Sequence, residues 1–275
     1  MISRWKTRLA IFVETRMGYG AADSLTYAVR EFLTNSRRGV SVMRRVLFLM
    51  LAVLVAAVPA QGDEKWVSLF DGKTLNGWKK AAHGKATYEV VDGAIHGVTV
   101  EGSPNSFLMS EQEYGDFELE FEVRVHDQLN SGCQIRSREK NEADVQAEAK
   151  RTGTKPQGDG GLGRFHGPQV EIEKAPGFAG YIYGESTQYG WLSPEPKSGG
   201  KPHSLMKNGD WNKFRIVAKG PHIETYINGT KVGDLNHSEI YETHAKGHIG
   251  LQVHGIAAGT GPFDVSWRSI RIREL

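Results

Sequence analysis

The chain has 275 residues, 39% of them hydrophobic and 24% charged, with 34 Lys and Arg against 32 Asp and Glu. That apolar fraction excludes wholesale disorder, and a single Cys excludes both a disulfide scaffold and a Cys-built zinc site. A formal charge of +2 points to neither nucleic acid nor a membrane surface as partner.

In chain order, the first signal is at Met43–Ala60, which reads MRRVLFLMLAVLVAAVPA. Arg44 and Arg45 precede an apolar run of thirteen residues, Val46 to Val58. As a helix this run spans about 20 Å, short of a ~30 Å hydrocarbon core. Val58 and Ala60 place small residues at −3 and −1 of a cleavage site before Gln61. The pattern predicts a signal peptide over residues 43–60, and hence export to the periplasm or cell exterior. It also predicts no stable membrane insertion after cleavage. Residues 1–42 form a long mixed-charge extension that signal peptides rarely carry. They are expected to be a misassigned start without packed structure. The first sixty residues hold nine of the basic and three of the acidic residues, so 25 basic against 29 acidic remain, a net charge of −4.

Residues 61–275 read as one β domain. Tyr88–Val98 and His222–Val232 each place a turn pair, Asp92-Gly93 and Asn228-Gly229, between apolar runs, which predicts hairpins. Asp116–Val125 alternates Phe117, Leu119, Phe121, Val123 and Val125 with Glu118, Glu120, Glu122 and Arg124. Cys133–Arg138, Gln169–Glu173, Trp211–Ala218, His248–His254 and Phe263–Ile272 complete the strands. The last needs a shift in phase before Ile270 and Ile272 rejoin the core face. Asn141–Gly163 is polar and Gly-rich and reads as a long loop, and no amphipathic helix of ten residues is expected after Gly62. Many short strands without helices imply a sandwich, and this length suits an all-β jelly roll of two antiparallel sheets.

Several segments resemble one family in order along the chain. WVSLFDGKTLNGW, Asn130–Arg136 (NSGCQIR), GPQVEIE, Gly180–Gly184 (GYIYG), GDWN and Gly250–Gly255 (GLQVHG) are similar to segments of the 3-keto-disaccharide hydrolase domain family. The match runs from Trp66 to the C-terminus. Val253 stands where that family's motif has Asp. The resemblance implies a concanavalin-A-like jelly roll that acts on oxidised glycosides.

Strand parity then sorts the candidate residues. Gln169, Glu171 and Glu173 share one face, Gln134, Arg136 and Arg138 another, and Gln252 and His254 a third. Together they offer an Arg, carboxylates, a His and amides to a sugar. Glu171, His254 and Arg136 are the candidate catalytic residues. Gln169, Gln252, Asn130, Tyr183, Trp191 and Glu173 are candidates for binding substrate. An ordinary retaining glycosidase needs two carboxyls about 5–5.5 Å apart. The strand motif E-x-D-x-x-E would put the last of them where this chain has Pro176, which argues against that mechanism. A 3-keto sugar asks instead for a base at C2, a positive group at the ketone oxygen and an acid at the leaving oxygen. Glu171 or His254 serves as base or acid, and Arg136 as the positive group. No cofactor is expected. A divalent metal on His254 and a carboxylate stays open, although no HExxH-like spacing occurs. His166 and His96 read as surface residues, and Trp66, Trp78, Trp211 and Trp267 as core. Two other readings compete: a non-catalytic lectin-like domain, and a structural surface domain with a hydrated sheet face.

Overall fold

Alternating apolar and polar residues build two antiparallel sheets in the computed structural model. It describes residues 65–155, 158, 160–193 and 200–275. The expected signal peptide and the extension before it lie outside the described residues. In chain order the strands are β1 (Val67–Ser68), β2 (Trp78–Lys80), β3 (Thr87–Val91), β4 (Ala94–Val98), β5 (Ser106–Tyr114), β6 (Phe117–Val125) and β7 (Ser131–Glu139). After helix α1 (Glu142–Thr152) come β8 (Phe165–Ile172), β9 (Ile182–Glu185), β10 (Gly190–Ser193), β11 (Asn212–Lys219), β12 (His222–Ile227) and β13 (Thr230–Asn236). The short helix α2 (Ser238–Thr243) precedes β14 (Gly247–Val253) and β15 (Asp264–Glu274). The first sheet runs β13-β12-β11-β6-β15-β4-β3, with β1 also on β15; the second runs β10-β9-β8-β7-β14-β5-β2. This is the expected jelly roll.

Both predicted hairpins form. Asp92 and Gly93 have φ of 50° and 75°, and Asn228 and Gly229 have φ of 49° and 85°. Two successive positive values define the turn whose twist matches the flanking strands. Between the sheets, Phe117, Leu119, Phe121 and Val123 of β6 pack with Phe214 and Ile216 of β11 and with Trp267 of β15. Facing them are Cys133 and Ile135 of β7, Val170 and Ile172 of β8, and Leu251 and Val253 of β14. The phase shift in β15 is a bulge between Arg268 and Arg271, with Ser269 at φ 53°.

The outer face of the first sheet is an ion-pair ladder. Glu118 binds Arg215 and Arg273, Glu120 binds Lys213 and Arg271, and Glu122 binds Arg268. Trp66 lies against Arg271 and Arg273, and Trp211 against Arg124 and Arg268. Trp78 and Trp267 are core as expected, but Trp66 and Trp211 are only half-buried. Their rings serve as stacking surface for guanidinium groups, which is why they lie outside.

A helix also stands where the sequence reads as loop. In α1, the Asn141 side chain accepts from the Asp144 N–H, the Asp144 side chain accepts from the Asn141 N–H, and Gly153 at φ 69° ends the helix. No residue of α1 is buried. It therefore has no apolar stripe, and hydrophobic periodicity could not reveal it. Among the described residues no helix is long and apolar enough to cross a membrane.

Candidate active site

The site lies on the outward face of the second sheet. There, Gln169 and Glu171 alternate with the core residues Val170 and Ile172, and Gln252 alternates with Leu251 and Val253. Register brings them abreast: Glu171 pairs with Gly132, and Gly132 pairs with Gln252. One step along, Gln169 is flanked by Gln134 on β7 and by Tyr183 on β9. Glycines make the room. A Cβ on Gly132 would come within 2.5 Å of the Gln169 side chain, and one on Gly250 within 2.4 Å of the Phe165 ring.

Glu171 is 7% exposed. Gln169 Nε2 donates to its Oε1 at 2.8 Å, and Asn130 Nδ2 donates to its Oε2 at 3.1 Å. Burial pushes the carboxyl up to about 7, and the charges of Glu185 and Glu173 add to that. The two amide donors favour the ionised form but offset only part of the burial. The group is thus poised to give or take a proton at neutral pH.

Beside it the sheet buries amide atoms that have nothing to bond. Gln252 is fully buried, and neither its Oε1 nor its Nε2 has a partner. Gln134 Oε1 and Gln169 Oε1 are also unpartnered. An unmet buried polar atom costs about 1–3 kcal/mol. Four such atoms lie along this one row of the sheet.

The other predicted residues divide. Tyr183 sits at the edge of this row, its phenol pushed upward by burial and then by Glu185 and Glu171. Trp191 packs against Tyr183, with ring centroids 5.3 Å apart. Glu173 is engaged in a turn, where its carboxylate accepts from the Phe178 N–H. His254, half-buried, lies just past β14 and two residues from Gln252. Its Nδ1 meets the Gly255 carbonyl at 2.6 Å. A carbonyl only accepts, so Nδ1 donates to it and Nε2 is the nitrogen left to meet a ligand.

Arg136 does not join them. A bulge between Gln134 and Arg138 adds one residue to β7, and Arg136 at its centre has φ 51°. The extra residue reverses parity and turns the side chain away from the Gln134 face. The guanidinium, 1% exposed, donates to Gly115 O (2.7 Å), Gly220 O (2.7 Å) and Asp116 Oδ1 (2.9 Å). Arg136 ties the β5–β6 turn to the β11–β12 turn and is not available as an electrophile. His166, expected at the surface, is 4% exposed and lies in a separate pocket. His96 is half-buried and bonds Ser266.

Sequence reasoning passed over Glu185. It is 8% exposed and accepts from Asn105 Nδ2 and Ser186 Oγ, each at 3.2 Å. Its i, i+2 relation to Tyr183 was the available signal.

The chain is similar to several solved structures. The κ-carrageenase of Pseudoalteromonas carrageenovora, solved with an oligotetrasaccharide of κ-carrageenan, is 10% identical with a TM-score of 0.51, over 78% of this chain and 97% of that one. Carbohydrate-binding module CBM66 of Bacillus subtilis is 12% identical with a TM-score of 0.48, over 72% of this chain and 96% of its own. A Parabacteroides distasonis protein described as a glycosyl hydrolase is 18% identical with a TM-score of 0.47, over 76% and 94%. No curated protein matches the chain. A family model, the 3-keto-alpha-glucoside-1,2-lyase-like domain, matches residues 65–273.

Proposed function

The chain belongs to the 3-keto-alpha-glucoside-1,2-lyase-like family, and from that membership we propose that it is an exported enzyme that cleaves the glycosidic bond of 3-keto-glycosides. The observation that carries the reading is the Glu171 carboxyl, held at about 7 beside a row of buried amides that carry unpartnered polar atoms.

A ketone at C3 acidifies the hydrogen on C2. Glu171 takes that proton, and the electron pair passes through C2–C3 to the ketone oxygen. Gln252 Nε2, a buried donor without a partner, hydrogen-bonds the enolate oxygen in the place the sequence reading gave to Arg136. The enolate then re-forms the ketone as C1=C2 closes and the C1–O bond breaks. His254 gives a proton to the leaving oxygen through Nε2. Ending there is a lyase reaction. If water follows, its hydroxyl adds to C1, its proton returns to His254, and Glu171 returns a proton to C2; the sum is hydrolysis.

The test is incubation of the purified protein with a 3-keto-glycoside, with its unoxidised parent and with the C2-deuterated ketone. The expected result is cleavage of the ketone, negligible cleavage of the parent, and a slower reaction with deuterium where proton removal limits the rate. Equal cleavage of parent and ketone would restore an ordinary glycosidase. Binding of the ketone without cleavage would make the domain a lectin.

A further inference from the structure

His254 lies half-buried past the end of β14, outside the ladder that holds Gln252 in place. A ring at such a position turns freely about its side-chain bonds unless a contact fixes it. Its own tie is the bond from Nδ1 to the Gly255 carbonyl. That tie is only as firm as Gly255, and glycine has the most backbone freedom of any residue.

Two contacts take that freedom away. The Gly255 N–H donates to Asn105 Oδ1 at 2.9 Å. A Cβ on Gly255 would come within 2.5 Å of Ser103 O, so the segment before β5 is pressed against this glycine. Asn105 is fixed in its turn. A backbone N–H only donates, so the oxygen of the Asn105 amide faces Gly255 and the nitrogen faces the other way. There Nδ2 donates to Glu185 Oε1 at 3.2 Å, and Ser186 Oγ donates to the same oxygen. The next residue, Ser106, opens β5 and pairs with Val253, the residue before His254. β5 and β9 are not neighbours in the second sheet, because β14, β7 and β8 lie between them. The Asn105–Glu185 bond therefore reaches across the polar face, past the strands that carry Gln252, Gln134 and Glu171.

On the reading of His254 as the acid at the leaving oxygen, we propose that Asn105 is a positioning residue for His254, itself held by Glu185. The contacts run from the Glu185 carboxylate to the Asn105 amide, the Gly255 backbone and the His254 ring. Asn105 meets no reacting atom. It sets the direction in which His254 Nε2 points, and so decides whether a proton reaches the leaving oxygen as the C1–O bond breaks. Glu185 gains a task that the proton-transfer scheme leaves empty. Its loss should therefore act on departure of the leaving group, through Asn105.

The test compares a methyl 3-keto-glycoside with its nitrophenyl counterpart. Methanol leaves only with a proton, whereas nitrophenolate leaves without one. N105A should lower kcat for the methyl ketoside about tenfold or more, and kcat for the nitrophenyl ketoside less than about threefold, with KM little changed. E185A should follow N105A. E185Q keeps an oxygen for Asn105 Nδ2 and should hold the ratio of the two rates within about threefold of the unaltered chain's. The His254 ring is read separately by nitrogen-15 NMR at alkaline pH. The expected result is a proton on Nδ1 in the unaltered chain and a mixture of both tautomers in N105A. Equal losses on the two ketosides, or a ring spectrum that N105A leaves unchanged, overturns the proposal. If N105A does not fold, E185A and E185Q carry both measurements. An unaltered chain that cleaves neither ketoside refutes the enzyme reading alone, and the ring spectrum then decides for Asn105.

Discussion

Glu171 is held in a state that works against folding. Its proton stays on to about pH 7 in the folded chain but leaves at ordinary carboxylate values in the unfolded one. Between those values the folded state binds more protons, so stability falls as pH rises and the loss is complete above the folded value. Glu171→Gln cannot ionise. It should be more stable than the parent at pH 8, by up to about 3 kcal/mol, and equal to it near pH 4. Gln169 can turn its unpartnered Oε1 toward the new amide. Activity should fall by roughly 10²–10⁴ if Glu171 is the base. Parallel melting-temperature profiles across pH would contradict the placement of this carboxyl. Arg136 predicts the reverse behaviour. Arg136→Ala removes the charge partner of Asp116 and the donor to two carbonyls, and should cost about 3 kcal/mol in denaturant unfolding. Substrate affinity of the fraction that folds should be unchanged.

At the scale of elements, the strands were legible because their signals are local. Asp92-Gly93, Asn228-Gly229 and the β6 alternation each declare themselves within ten residues. Glu171, Gln169 and Gln252 shared a readable parity for the same reason. Arg136 was not legible, because a bulge adds one residue without any change in composition. The α1 helix was missed because its signature is the Asn141–Asp144 cap and Gly153, with no apolar stripe between them. Sheet geometry also makes a prediction at Gly132. Gly132→Ala would press on Gln169 at 2.5 Å and displace the amide that holds Glu171. It should lower kcat about tenfold or more without touching a titrating group, since ångström-scale misplacement can cost 10²-fold. A variant with full kcat would show that Gln169 does not position the carboxyl.

For the whole molecule, the prediction that follows from the proposed export is a processed N-terminus. Protein recovered from the periplasm or medium should begin at or near Gln61, and N-terminal sequencing that finds Met43 would refute cleavage. The order of strands bears on how such a chain matures. β15, the final strand, lies between β6 and β4 and also carries β1. Until residues 264–274 are present, β1 has no partner, the β3–β4 hairpin stands apart, and β6 exposes one whole edge. A chain that emerges N-terminus first from a ribosome or a translocon therefore cannot close its first sheet before residues 264–274 are free. Nascent lengths short of β15 should remain protease-sensitive and available to holding chaperones, and the molecule should shut in a single late event.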